Sequence, residues 1–219
     1  MLLAFRWRWR WALAVLAAML LAACGIVPLG SPPEDAPLFR RSDARVGVVY
    51  TTAARTANLT HPLVRLEVGK ASIARFQQVF AAMFAEAVEL PDWPPWREAD
   101  AGVNGVIELE SINADLVVGN DAGGSAIVGL AAEGRPDVVS IAYRICLYEP
   151  DGTGIRCWSP LASNSHQRSV GECLDLRVCI VRQSDGAIRE AIARFMVEAD
   201  RDSALRAWSA RFPQRGPAP

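Results

Sequence analysis

Five cysteines and two histidines are the residues of this 219-residue chain best suited to covalent or metal chemistry. Cys146, Cys157, Cys173 and Cys179 fall in its second half, while Cys24 stands alone near the start. Zinc asks for ligand pairs at short, regular spacing such as Cys-x-x-Cys. No pair here has that spacing, and His61 and His166 are the only imidazoles, so neither a metal site nor a cofactor is expected. An even set of four reads instead as two disulfides, with three connectivities open. Ser165 and His166 put a hydroxyl beside an imidazole, but neighbours on one loop do not align as nucleophile and base. No Gly-x-Ser-x-Gly elbow is present either, and no acid partner is indicated. Glu108, Glu110 and Asp115 share one stretch whose alternation makes them its solvated side. No catalytic residue is expected.

The role of Cys24 is set by what precedes it. Arg6, Arg8 and Arg10 alternate with Trp7, Trp9 and Trp11, and an apolar run follows from Ala12 to Ala23. That is the layout of a secretory signal. The run is far shorter than the about 20 apolar residues a membrane-spanning helix needs. Leu21-Ala22-Ala23-Cys24 resembles the lipobox of bacterial lipoproteins. The resemblance implies cleavage before Cys24 and acylation of its thiol, so that the chain meets the membrane through lipid. In this class an aspartate after the cysteine favours the inner membrane. Gly25 and Ile26 lack it, which implies the outer membrane, with the domain facing the periplasm.

Cleavage would remove residues 1–23 with three of the 23 basic residues and no acidic one, leaving 20 basic against 24 acidic, a net of −4. Nothing in that balance attracts nucleic acid. Residues 24–45 carry Pro28, Pro32, Pro33 and Pro37 without a hydrophobic period and are expected to form a tether. Residues 46–212 suit a single domain, and residues 213–219 read as a disordered tail.

Within the domain, Val46 to Thr51 and Leu63 to Val68 read as strands flanking a loop, 52–62, that carries His61. Ser72 is a candidate N-cap for a helix with Ile73, Phe76, Phe80, Met83, Phe84 and Ala87 on one face. Pro91 ends it and opens a loop whose Trp93 and Trp96 by default fold back over the edge of the core, or else form a candidate partner contact. Asn104 to Val118 reads as a long strand with a bulge near Ser111. The glycine-rich stretch 119–136, with Gly123, Gly124, Ile127 and Val128 near its uncharged centre, reads first as a flexible inter-strand loop and, as the sharper alternative, as a second candidate contact that orders on a partner or touches the membrane. Asp137 to Glu149 alternates most cleanly of all. Ser163 to Gly171 reads as a loop, Ser184 as the N-cap of a helix reaching about Ala199, and a short helix follows near Ala204 to Arg211.

The turn at Pro150-Asp151-Gly152 leaves two registers open. A four-residue loop, Pro150 to Thr153, sets opposed residues at an index sum of 303 and places Cys146 across from Cys157. A three-residue loop closing on Glu149 and Thr153 slips the pairing by one, turning the cysteines to opposite faces. The first register brings opposed Cα atoms within disulfide reach. A bond between Cys146 and Cys157 is therefore expected, with Cys173 left to Cys179.

The element order implies an α+β fold: an antiparallel or mixed sheet of about five strands with two main helices on one face. It is similar to small domains of envelope-assembly lipoproteins of Gram-negative bacteria, including the lipopolysaccharide-assembly lipoprotein. Leu66-Glu67-Val68-Gly69-Lys70-Ala71-Ser72, running into Phe76, Phe80 and Phe84, also resembles a pattern in uncharacterised proteobacterial lipoproteins. That likeness carries over no functional residue; the tether, the lack of a catalytic constellation and the two candidate contact loops point to a non-enzymatic envelope component working through a protein partner. The alternative is a binder of a small apolar or lipid ligand.

Overall fold

The computed structural model describes residues 41–62, 64–91, 102–118, 137–166 and 176–212. The elements are β1 (Ser42–Tyr50), α1 (Thr52–Arg55), β2 (Leu59–His61), β3 (Val64–Leu66), α2 (Val68–Met83), β4 (Phe84–Leu90), β5 (Gly105–Val117), β6 (Asp137–Tyr148), β7 (Gly154–Trp158), β8 (Leu161–His166), α3 (Leu176–Arg201) and α4 (Ser203–Ser209). They form an α+β fold on a mixed six-stranded sheet ordered β4-β1-β5-β6-β7, with β8 also pairing β6; β2 and β3 make a separate hairpin. β1 is parallel to both β4 and β5, whereas β6 is antiparallel to β5, β7 and β8.

One face of the sheet makes the core. Ala44, Val46, Val48 and Tyr50 of β1 and Val139, Ile141, Tyr143, Ile145 and Leu147 of β6 all point into it. β5 keeps Ile107, Leu109 and Ile112 on that face because its register shifts between Leu109 and Ser111, leaving Glu110 as the extra residue of a bulge. Helices α2 and α3 cover this face. The Phe76 ring packs edge-on to Tyr143 at 5.0 Å and to Phe195 at 5.7 Å, and Trp158 meets Phe195 at 5.6 Å.

Several boundaries differ from the sequence reading. The first strand starts at Ser42, inside the stretch assigned to the tether. The loop expected over 52–62 holds α1 and β2, so His61 lies on a strand. Helix α2 begins at Val68, and Ser72 is buried within it rather than capping it. Its first turn docks on α1 instead: the Gly69 N–H donates to the Ala57 carbonyl at 2.9 Å. A Cβ at Gly69 would stand 2.3 Å from the Ala54 carbonyl oxygen, so only glycine permits this approach. Phe84 then takes extended backbone at once, which places Phe84 and Ala87 on β4. Helix α3 begins at Leu176, with Ser184 buried in its interior. Ser163 to His166 belong to β8, not to a loop.

The hairpin combines both registers weighed for it. The turn has three residues: Glu149 N–H donates to the Thr153 carbonyl at 2.8 Å, and Gly152 supplies the left-handed φ of 92°. That turn alone would part the cysteines. Ile155, however, is an extra residue between the pairs Tyr148–Gly154 and Leu147–Arg156, and this bulge restores Cys146 opposite Cys157. Their Cα atoms are 4.1 Å apart and their sulfurs are bonded. Cys179 is also disulfide-bonded. Its expected partner Cys173 lies outside the described residues.

Candidate functional site

The opposite face of the sheet carries the polar chemistry. From β5 it presents Glu108, Glu110, Asn113 and Asp115, and from β6 Tyr148, Cys146, Arg144, Ala142 and Ser140, following the pairings of Glu108 with Cys146, Asn113 with Ala142 and Asp115 with Ser140. At one corner of this face Val49, Leu90 and Val106 form a small buried apolar cluster.

At the middle of this face the Arg144 Nε lies 2.5 Å from a Glu110 carboxylate oxygen, and the same oxygen is 3.8 Å from Cys146 Sγ. With both sulfurs bonded there is no thiol hydrogen to donate, so the latter is a contact only. Glu108 was assigned to the solvated side, but it is only 9% exposed and takes the Tyr148 hydroxyl as donor. Burial, and then the charge on Glu110, push the Glu108 carboxyl above the ordinary carboxylate range, while the Tyr148 hydrogen bond works against that rise. Tyr148 is raised as well, first by burial and then by the two glutamates. In this cluster the Arg144 guanidinium pairs with Glu110, and the Tyr148 hydroxyl donates to Glu108. It places no Ser, Thr or Cys nucleophile beside a base, so its chemistry is charge compensation.

Beside the cluster is a groove of about 400 Å³, walled by Ala57 and Asn58 on one side and floored by Ile112 to Asp115 of β5, with Ser140, Ala142 and Leu161 beyond. It exists because β1 and β5 differ in length. Tyr50 pairs with Leu109, then Thr51 turns away, its hydroxyl donating to the Glu110 carbonyl at 2.6 Å. From Ser111 to Val117 the β1-side edge of β5 has no paired strand among the described residues. Leu161 and Val117, 51% and 57% exposed, bound this region.

The expected contact residues Trp93, Trp96, Gly123, Gly124, Ile127 and Val128, and the lipidation residue Cys24, lie outside the described residues. The strands that lead to them do have a definite sense. β1, β4 and β5 are parallel, so the ends of β4 at Leu90 and of β5 at Val117 lie at the pole opposite Ser42, as does the start of β6 at Asp137. No group of three His, Cys, Asp or Glu residues suited to a metal ion occurs among the described residues, and no described helix is long and apolar enough to cross a membrane.

No protein-family model and no curated protein matches this chain. Solved structures do. A putative neuraminyllactose-binding hemagglutinin homolog from Helicobacter pylori is similar at 10% identity and a TM-score of 0.48, covering 84% of this chain and 98% of that one. A minor lipoprotein from Acinetobacter baumannii is similar at 9% identity and a TM-score of 0.40, covering 81% and 99%. An uncharacterized lipoprotein B from Nitrosomonas europaea is similar at 7% identity and a TM-score of 0.41, covering 81% and 97%. Lipoproteins thus recur among the structures this chain is similar to. At such identities and scores the likeness carries no argument about function.

Proposed function

We propose that this protein is a lipid-anchored component of the bacterial envelope that acts by contact with an envelope protein partner rather than by making or breaking bonds. The observation that carries the reading is the string Leu21-Ala22-Ala23-Cys24 behind a basic and apolar leader. The 16 residues from Gly25 to Arg40 reach at most roughly 55 Å when fully extended, ample to hold a domain clear of a bilayer. Gly25 and Ile26 favour the outer membrane with the domain in the periplasm. The edge-on packing of Phe76, Phe195, Tyr143 and Trp158 between sheet and helices supports contact over an apolar ligand held at that interface.

Intact-mass measurement of the purified protein tests the anchor: the expected product starts at an acylated Cys24, and Cys24→Ala is expected to leave the membrane fraction. A variant that stays membrane-bound counts against the reading. Cross-linking of the native lipoprotein in cells tests the contact role, which recovery of the monomer alone would oppose.

A further inference from the structure

The strand β5 outruns its neighbour β1, and the consequence, among the described residues, is an open pairing position along Ser111 to Val117. A bare strand edge is a template for another strand, since alternate residues leave backbone N–H and C=O groups unpaired along it. Here that edge adjoins a groove rather than bulk surface, with Ala57 and Asn58 as the far wall. Four consecutive β5 residues line it, which is what a void running beside a strand produces, because successive side chains leave to opposite faces. The groove also has a charge sense. Asp115 lines it and forms no ion pair among the described residues, no described lysine or arginine lines it, and Arg144 on this face is held by Glu110.

We infer that this edge takes an extended, basic segment of a partner protein by strand addition, in line with β1 and beyond its end. Main-chain hydrogen bonds to Ile112 through Leu116 supply the affinity, and a cationic side chain beside Asp115 supplies selectivity. The groove sits in the half of the sheet away from Ser42, where the tether enters, so a partner in the periplasm reaches it without meeting the membrane. This deepens the contact reading by naming the kind of partner. The two fail separately: an unacylated Cys24 sinks the envelope assignment and leaves the peptide result untouched.

The test uses the full protein as purified from its cells, in detergent micelles, and an acetylated heptapeptide alternating valine and lysine. Of the backbone amides from Ile112 to Leu116, those that point away from β6 are expected to exchange at least five-fold more slowly at saturating peptide, while those facing β6 stay unchanged. The same peptide with glutamate in place of lysine, or with alternate amides N-methylated, is expected to have no effect. Asp115→Asn, an exposed change that leaves the fold intact, is expected to weaken binding about two- to five-fold, as for an exposed ion pair. Unchanged exchange, protection at other strands, or equal protection by the glutamate peptide overturns the proposal. So does slow exchange without peptide that grows with protein concentration, which would make a second copy the occupant. Exchange that is already slow and quickens when residues 119–136 are deleted would make this chain its own occupant, and overturns it too.

Discussion

Replacing Ser184 with alanine separates two accounts of helix α3 by the sign of one number. If Ser184 capped a helix starting at Asp185, its hydroxyl would satisfy an otherwise unpaired backbone N–H, and alanine would cost about 1 kcal/mol. The structure instead puts Ser184 at 0% exposure in the helix interior, with its Oγ lacking a hydrogen-bond partner among the described residues. A buried, unsatisfied hydroxyl costs on the order of 1–3 kcal/mol, and alanine is the better helix former by roughly half a kcal/mol. The void left by one oxygen returns part of that gain. Ser184→Ala is therefore expected to stabilise by about 1 kcal/mol, raising Tm by about 2–4 °C for a domain of this size. Ser72 is the control, since it has the same residue type and the same apparent capping role in the sequence. Its Oγ lies 2.8 Å from the Tyr143 hydroxyl, and both groups are buried. Ser72→Ala strands that phenol and is expected to cost about 1–2 kcal/mol. Urea unfolding of both variants at equal m-value measures the pair. A destabilised Ser184→Ala would refute the placement of the helix start at Leu176.

Three further perturbations have definite expected outcomes. Arg75 is 3% exposed and is held by Asp185, which also binds Arg189 at 2.8 Å. Burial lowers the Arg75 pKa and Asp185 opposes that, so Asp185→Ala is expected to cost about 3 kcal/mol in urea unfolding, while Arg75→Met with Asp185→Leu stays near wild type. Removing the bond between Cys146 and Cys157, separated by 11 residues, in a double alanine variant is expected to cost about 2–3 kcal/mol in the same assay. The raised Glu108 carboxyl keeps its proton in the folded state at pH values where the unfolded chain has released it. Stability therefore falls as pH rises from the ordinary glutamate range through the folded pKa, and the penalty is complete above that. Glu108→Gln, which can still accept from Tyr148, is expected to flatten that slope and to be the more stable protein at pH 8.

What the sequence made legible depended on whether one physical signal dominated locally. β6 was plain because Val139, Ile141, Tyr143, Ile145 and Leu147 alternate without interruption, and the bulge in β5 was visible as a change of phase. β4 was hidden because Phe84 and Ala87 continue the helical spacing of Phe76 and Phe80; nothing local distinguishes the last turn of a helix from the first residues of a strand parallel to β1. β8 was hidden by polarity, since Leu-Ala-Ser-Asn-Ser-His buries only Ala162 among its described side chains on the core face. Both helix starts were misplaced for one reason. Ser72 and Ser184 are cap-type residues that occupy buried positions, and the docking that replaces a cap, Gly69 against Ala57, joins segments the sequence does not show to be in contact. For the site, the carboxylates on β5 could be seen, but not their arrangement. Glu110 meets Arg144, and Glu108 meets Tyr148, only in the register of β5 with β6.

The groove follows from the same limit. Its walls come from α1's exit, from β5, from β6 and from β8, and its existence requires that β1 stop opposite Leu109 while β5 continues to Val117. Strand length is set by where a neighbour leaves, and here β1 leaves because Thr51 turns to cap α1, its Oγ accepting from Ala54 N–H at 3.1 Å. A single capping residue thus opens the edge. Thr51→Val would remove both that cap and the bond to the Glu110 carbonyl, and so tests whether the notch is maintained locally. If it is, amide exchange at Thr52 to Arg55 quickens while the β5–β6 ladder from Ile112 to Leu116 keeps its protection. If instead the β5–β6 ladder loses protection together with α1, the edge and the sheet form one cooperative unit, and strand addition there would have to work against the whole domain's packing rather than onto a preformed template.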